Sequence, residues 1–242
     1  MSTAMISRDA SYGVQMIDWA AVSAHLDSQG WTILPKLLLA NQCDAVRSLY
    51  DSEKTFRSHI IMARHGFGRG EYKYFAYPLP TLVQELRTTL YPKLAAIADR
   101  WHKLMGLDIR FPNTHAAFIQ RCRAAGQTRA TPLILQYRQG DYNCLHQDLY
   151  GEHVFPLQAA ILLSEPGADF EGGEFVLTEQ RPRMQSRVVV VPLSKGDAVV
   201  FAVNSRPVQG ARGFYRVRLR HGVSVLRSGH RHTLGIIFHD AV

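Results

Sequence analysis

His146 and Asp148 are separated by one residue, so on an extended strand their side chains point to the same face and can hold one cation between them. Alone the pattern is weak, because a chain with 11 His and 12 Asp contains His-x-Asp by chance about half the time. The segment 215–221, Tyr-Arg-Val-Arg-Leu-Arg-His, supplies context. Its strict alternation sends Val217, Leu219 and His221 to one face and Arg216, Arg218 and Arg220 to the other, so His221 faces the core. Ten residues on, Arg231 stands at the head of the apolar run 233–238, a place from which it too can point inward; a buried arginine requires an anion. Two histidines and one carboxylate leave three positions open on an octahedral ion, which suits ferrous iron, whereas structural zinc fills a closed tetrahedron. The inward guanidinium is a planar fork matched to a carboxylate. Iron with a bound dicarboxylate is the joint reading; its bland competitor is a hydrogen-bonded core pair beside an unrelated histidine.

These side chains need strands to position them, and the second half of the chain is written in strand period. From Pro132 onward, short apolar or alternating runs recur at 133–137, 142–146, 157–163, 174–178, 187–191, 197–203, 214–225 and 231–239. Turn residues such as Pro166-Gly167, Gly172-Gly173 and Ser228-Gly229 separate them. About eight strands at this spacing predict a sandwich or jelly roll. The first half reads as helices around one short strand. Asp18 caps a helix that runs to Gly30, Asn41 caps another through about 51, Thr81 to Gln84 has capping-box spacing, and Thr114 opens a helix closed by Gly126. Gly30 to Leu34 is the strand, ended by Pro35. The expected fold is mainly β with a helical N-terminal part: a helical, substrate-recognising region over 1–130 buttresses a β core over 131–242, in one cooperative unit.

The composition excludes disorder and collagen-like repeats: 242 residues, 46% hydrophobic and 20% charged, describe a globular chain with material for a core. No apolar run approaches the roughly 20 residues that cross a bilayer, and residues 1–11 lack an h-region with a cleavage site, so a cytoplasmic location with no membrane partner is expected. Cys43, Cys122 and Cys144 form no CxxC pair, which points away from a disulfide framework or a zinc knuckle. Cys144 reads as a small core residue, and His153 and His239 as structural. The formal charge of +8 and the pI of about 9.6 suit an anionic partner. Between Asp197 and Asp240 there is no acid, while seven arginines occur there, among them Arg216, Arg218 and Arg220, whose bland reading is a solvated face.

The chain resembles the Fe(II)/2-oxoglutarate-dependent dioxygenases through Tyr137-Arg-Gln-Gly-Asp-Tyr142-x-x-x-His146-x-Asp148, Phe170-Glu-Gly-Gly-Glu-Phe175, Lys195-Gly-Asp-Ala-Val-Val-Phe201, and His221-Gly-Val-x9-Thr233 with Gly229-His-Arg231 inside it. The resemblance spans about Pro132 to Val242, and its elements occur in the right order. It implies a double-stranded β-helix, a jelly roll, with His146, Asp148 and His221 on iron as the catalytic metal ligands. It also implies 2-oxoglutarate as cosubstrate, O2 as oxidant and ascorbate as reductant in vitro. Arg231 would then bind the distal carboxylate of 2-oxoglutarate, with Tyr137 and Tyr142 as candidates to add a hydroxyl. Gly66-Phe-Gly-Arg-Gly-Glu-Tyr-Lys-Tyr-Phe75 followed by Tyr77-Pro-Leu-Pro80 is similar to a bacterial branch of the superfamily predicted to demethylate damaged nucleic acid oxidatively. The spacing of ten from His221 to Arg231, by contrast, resembles the prolyl-hydroxylase-type oxygenases; alkylation-repair enzymes place this arginine further on.

The stretch Phe67 to Tyr77 combines five aromatics with Arg69 and Lys73, the composition of a surface that stacks bases and contacts phosphates. Arg69, Tyr72, Lys73 and Tyr74 are therefore the candidate substrate contacts, and the glycines form no phosphate loop because no Gly-Lys-Ser/Thr follows them; an aromatic hairpin covering the helical layer is the equal alternative. Three functions stay open at this stage. One is a nucleic-acid demethylase releasing succinate, CO2 and formaldehyde. Another is a hydroxylase of a protein residue or small molecule, and the third a non-catalytic β-sandwich that binds nucleic acid.

Overall fold

The computed structural model describes residues 13–242; residues 1–12, including the stretch read above for a signal sequence, lie outside the described residues. Two antiparallel sheets are assembled from strands that run the length of the chain. In chain order these are β1 (Trp31–Leu34), β2 (Phe56–Ile61), β3 (Gly68–Arg69), β4 (Glu71–Phe75), β5 (Leu133–Arg138), β6 (Tyr142–His146), β7 (Leu157–Leu162), β8 (Phe170–Gly172), β9 (Phe175–Gln180), β10 (Arg187–Val191), β11 (Ala198–Ala202), β12 (Ser205–Gly210), β13 (Gly213–Val223) and β14 (Leu226–Ile236). The larger sheet has the order β1-β11-β7-β14-β5-β4-β2, with β8 on β14. The smaller has the order β10-β9-β13-β6-β3, with β12 on β13. Their architecture is the expected jelly roll, mainly β, with helices from the first half against it.

The larger sheet is covered on both faces, which explains why β7 (LQAAIL) and β11 (AVVFA) are continuous apolar runs. On β7, Leu157, Ala159 and Ile161 pack outward onto the helices; Ala160, between them, packs with Phe175, Leu177, Val199 and Phe201 in the space enclosed by the two sheets. The helical layer is α1 (Trp19–Gln29), α2 (Ala40–Ser48), α3 (Thr81–Leu104) and α4 (His115–Ala124). Helix α3 buries Leu86, Leu90, Leu94, Ile97 and Trp101, an apolar stripe at helical spacing. Removing one such leucine side chain costs about 2–5 kcal/mol, because the site cannot fully collapse.

The helix ends hold two corrections. Asp18 accepts from the amides of Ala20 and Ala21, Thr114 accepts from Ala117, and Gly30 closes α1 at φ +81°, as the residue types require. Asn41 does not cap α2, which starts at Ala40; there the Gln42 side chain reaches back to the Leu39 amide at 2.8 Å. Thr81 is the first residue of α3 rather than its cap, and Pro80 precedes it with the fixed φ that suits a helix start.

The larger correction concerns 56–75, where the helical reading of the first half gives way and the alternative of an aromatic hairpin comes nearer. This segment forms β2, β3 and β4, and these are built into both sheets: β4 pairs with β5 and β3 with β6. The chain crosses from one sheet to the other through Gly68-Arg69-Gly70. Gly68 (φ +130°) would put a side chain 2.4 Å from the Tyr142 carbonyl oxygen, and Gly70 (φ +116°) would put one 2.9 Å from the Tyr137 ring. These glycines allow backbone to pass close to strand and ring. Together with β1, which pairs with β11, these strands tie residues before 130 to strands after it.

Candidate active site

Two cross-strand pairs, one in each sheet, build the site. On the smaller sheet His146 of β6 lies directly opposite His221 of β13, and their rings are 4.2 Å apart between centroids. On the larger sheet Tyr137 of β5 lies opposite Arg231 of β14. Residues opposite each other on paired strands share a face, so both pairs project into the space between the sheets. Asp148, two residues beyond His146, completes the first cluster: its Oδ1 is 3.6 Å from His146 Nε2 and its Oδ2 is 3.4 Å from His221 Nε2. All three ligand atoms lie within 4.8 Å of one another.

Burial raises the Asp148 carboxyl, but the hydrogen bond to His221, the nearby His146 and the Tyr150 hydroxyl outweigh it and hold the group well below the usual carboxylate range. Burial, and then His146, lower His221 against the opposing pull of Asp148. The His146 Nδ1 lies 2.8 Å from the Cys144 carbonyl; an Nδ1–H there directs the Nε2 lone pair at the cluster. Phe201 and Phe175 pack on the His221 ring at 4.6 and 6.0 Å and fix its plane. A donor set of two imidazoles and one carboxylate fits Fe(II) with open positions.

Arg231 is 2% exposed and has no carboxylate within ion-pair distance among the described residues. One guanidinium nitrogen donates to the Thr233 hydroxyl at 2.7 Å, while its Nε is buried without a partner. Burial lowers its pKa to about 10, so it stays cationic at neutral pH. The Tyr137 hydroxyl is also buried without a well-formed hydrogen bond, and burial pushes it up, leaving a phenol able to donate. An unpaired cation, an orphaned guanidinium N–H and a free phenol around one space are what a carboxylate would satisfy. That space is a cavity of about 330 Å3 that also reaches His146, Asp148 and His221.

Of the remaining candidates, Tyr72 and Tyr74 line this cavity and meet edge to face at 5.3 Å. Lys73 does not: period-two alternation turns it to the opposite side of β4, where Nζ donates to the Tyr50 carbonyl at 2.8 Å and sits 4.4 Å over the Tyr50 ring. Arg69 is exposed outside the lining, 4.0 Å from Asp141. Tyr142 is outside it too. Between β6 and β13 the register slips, two residues of β13 spanning three of β6, so Asn143 and His146 both reach the cavity while Tyr142 pairs with Arg69. The same irregularity leaves Cys144 exposed rather than in the core.

Sequence reasoning missed Tyr150, whose hydroxyl donates to Asp148 Oδ1 at 2.7 Å, and gave no role to Phe175 and Phe201, although both stand in the quoted motifs. His239 is structural, accepting from the Phe155 amide at 3.2 Å, and the His153 amide donates to Gln127 at 2.7 Å. Arg216, Arg218 and Arg220 are exposed and alternate with buried Val217 and Leu219, away from the cavity. No helix among the described residues is long and apolar enough to cross a membrane.

With this geometry in place, the chain can be set beside known proteins. Residues 70–241 match the model of a family described as "Oxygenase, catalysing oxidative methylation of damaged DNA". An uncharacterized protein of Mycobacterium tuberculosis, strain H37Rv, is 48% identical over 167 residues, covering 69% of this chain and 72% of the relative. Among solved structures, a prolyl-4-hydroxylase of Pseudomonas putida superposes with TM-score 0.54 at 15% identity, covering 90% of this chain and 96% of that one. An oxidoreductase of the 2OG-Fe(II) oxygenase family from Burkholderia pseudomallei gives 0.52 at 16% identity, covering 94% of both. At such identities the structural likeness is one of fold.

Proposed function

The chain belongs to this oxygenase family and is an Fe(II)/2-oxoglutarate-dependent dioxygenase, and from that premise we propose that it oxidatively removes methyl or other alkyl groups from bases of nucleic acid. The observation that carries the reading is the conjunction, in one cavity, of the His146–Asp148–His221 cluster with a buried cationic Arg231 that has no acid of its own. Iron and 2-oxoglutarate, when bound, supply O2-dependent oxidation of a substrate C–H bond, with succinate and CO2 as coproducts.

The residues divide the remaining work. His146, Asp148 and His221 would hold the metal. Arg231 and Tyr137, with Thr233 orienting the guanidinium, would take the distal carboxylate of 2-oxoglutarate. Leu135, Ala160, Phe175, Phe201 and Val223 line the cavity with apolar surface and keep bulk water from the reacting centre. Tyr72 and Tyr74 form an aromatic wall on which a base could stack. Oxidation acts on a methyl group already present: an N–CH3 becomes N–CH2OH, which breaks its N–C bond to release formaldehyde and return N–H. Removal rather than addition of methyl is therefore the direction proposed. The net charge of +8 favours an anionic polymer, and binding is expected to weaken steeply as salt rises.

Nucleoside mass spectrometry tests this on cellular RNA and on methylated DNA, each incubated with protein, Fe(II), ascorbate and 2-oxoglutarate, with His221→Ala as control. Loss of one modified nucleoside with formaldehyde formed in step is the expected result. The His221 to Arg231 spacing of ten favours a second reading, hydroxylation of a protein residue or small molecule. A product heavier by one oxygen, without formaldehyde and with every nucleoside unchanged, would replace the first reading by the second.

A further inference from the structure

Tyr150 is no metal ligand, yet its backbone and its hydroxyl are both held in place. It lies two residues past Asp148 in the connection after β6, and its backbone carbonyl accepts from the buried Gln127 side chain at 3.0 Å. The other end of that amide accepts from the His153 amide at 2.7 Å, so one side chain clamps both ends of the turn. Gly151, at φ +84°, would drive a side chain to within 2.5 Å of Gln127, so only glycine fits the clamp. The Tyr150 hydroxyl then meets Asp148 Oδ1 at 2.7 Å; an ionised carboxylate has no proton to give, so the tyrosine donates. The Tyr150 oxygen in turn accepts from the Tyr74 hydroxyl at 3.2 Å. The result is a one-way chain of donors, Tyr74 to Tyr150 to Asp148, running from the aromatic wall to the metal cluster.

We propose that Tyr150 is a positioning residue that restricts Asp148 to a single metal-binding oxygen, Oδ2, and that Tyr74 links this restraint to the substrate wall. The inference rests on the Fe(II)/2-oxoglutarate reading of the cluster. Its chemical reason is a count of coordination positions. Two imidazoles and one carboxylate oxygen leave three of six positions, enough for a chelating cosubstrate and O2. A carboxylate binding through both oxygens would take one of those three. With Oδ1 engaged by Tyr150, Oδ2 is the oxygen free to bind beside His221 Nε2, which it approaches at 3.4 Å. A ligand that contacts the Tyr74 hydroxyl alters what Tyr150 accepts, and through it the strength of the bond to Asp148.

The test uses Co(II) as a spectroscopically visible probe on the full chain and needs no turnover. Tyr150→Phe is expected to bind Co(II) about 10–100-fold more weakly, the usual cost of losing a partner to a metal-ligating group, and to shift the visible absorption of bound Co(II) as the carboxylate changes its mode. Tyr74→Phe, which leaves the Asp148 bond in place, is expected to show the same shift in smaller degree; it also carries the test if Tyr150→Phe does not fold. Parent-like Co(II) affinity and spectrum in the folded variants, whatever their melting temperatures, would overturn the positioning role while leaving the metal site intact. Absence of Co(II) binding by the parent protein would instead overturn the reading of the cluster on which the inference stands.

Discussion

Arg87 on α3 and Arg231 on β14 are both sealed from solvent, at 0% and 2% exposure. Arg87 is met on every side: it pairs with Asp240 at 2.7 Å, donates to the carbonyls of Ile237 and His239 at 2.8 and 2.9 Å, and reaches the Tyr77 hydroxyl at 2.8 Å. The third buried arginine among the described residues, Arg206, likewise has a carboxylate, Glu179 at 2.5 Å. Arg231 has a threonine hydroxyl and an orphaned N–H. Burying a guanidinium costs several kcal/mol unless it is paired. Where the pair is internal, the arginine staples a helix to the segment that follows the chain's last strand; where it is missing, the buried cation has no acid among the described residues to meet it.

The contrast predicts opposite outcomes for similar substitutions. The largest effect should come from Arg87→Leu, which strands the Asp240 carboxylate in the core; urea unfolding is expected to show a loss of about 3–5 kcal/mol. Adding Asp240→Leu should recover much of it, because the abandoned charge goes too. A double variant no more stable than the single one would mean that the hydrogen bonds to Ile237 and His239, not the ion pair, carry the staple.

Arg231→Met should do the reverse in the free protein, leaving stability unchanged or raised, since a cation without a partner leaves the core. Its cost should appear with cosubstrate. At 2-oxoglutarate one hundredfold above its Kd in the presence of metal, the parent should gain about 2.7 kcal/mol of stability, and the variant little of it. Loss of stability in ligand-free Arg231→Met comparable to that of Arg87→Leu would erase the distinction between the two sites.

How far each arginine could be read from the sequence follows from the kind of signal it leaves. Arg231 was legible because strand alternation before it and an apolar run after it fixed its direction, just as alternation fixed His221. Arg87 sits at helical spacing among Val83, Leu86, Leu90 and Tyr91, a pattern that was there to be used, but its acid lies 153 residues away, beyond any local period. The fold of the second half is readable for the same reason, since most strands there carry their own apolar run; β8 (FEG) and β12 (SRPVQG) carry none and leave no such signal. The segment Glu71-Tyr-Lys-Tyr-Phe75 carries no contrast between apolar and polar positions, so the sequence offers its strand only as an alternative hairpin and gives no sign of the opposite facing of Lys73. Tyr142 and Cys144 were misjudged because a register slip in β6 is set by pairing with β13, which a single strand's sequence does not contain. Tyr150 had no signal at all, since its hydrogen bond depends on a turn clamped by Gln127.

The two faces of β4 sharpen the same contrast between groups already satisfied and groups that await a ligand. Tyr72→Ala should weaken binding of an alkylated oligonucleotide by the value of one stacked base, about 1–3 kcal/mol or roughly 5–150-fold, in fluorescence anisotropy. Lys73→Ala should leave that affinity within about twofold and instead lower stability by about 1 kcal/mol, the worth of its bond to the Tyr50 carbonyl. If both variants lost affinity alike, the wall would not be where substrate binds.

The smallest effect concerns what a satisfied cation does to its neighbours. His115 is buried, donates from Nε2 to the Phe238 carbonyl at 2.9 Å, and is held at a pKa of about 3, first by burial and then by Arg87. The unfolded chain takes up this proton near pH 6.5, so between pH 6.5 and 3 the unfolded state binds more protons than the folded one. Stability contributed by the neutral ring is therefore complete above pH 6.5 and is lost as pH falls, by about 1.4 kcal/mol at pH 5.5. His115→Gln, which cannot titrate, should flatten the pH dependence of unfolding by about one proton over that interval. An unchanged slope would show that His115 is protonated in the folded protein, and hence that the charge on Arg87 is screened from the ring packed beside it.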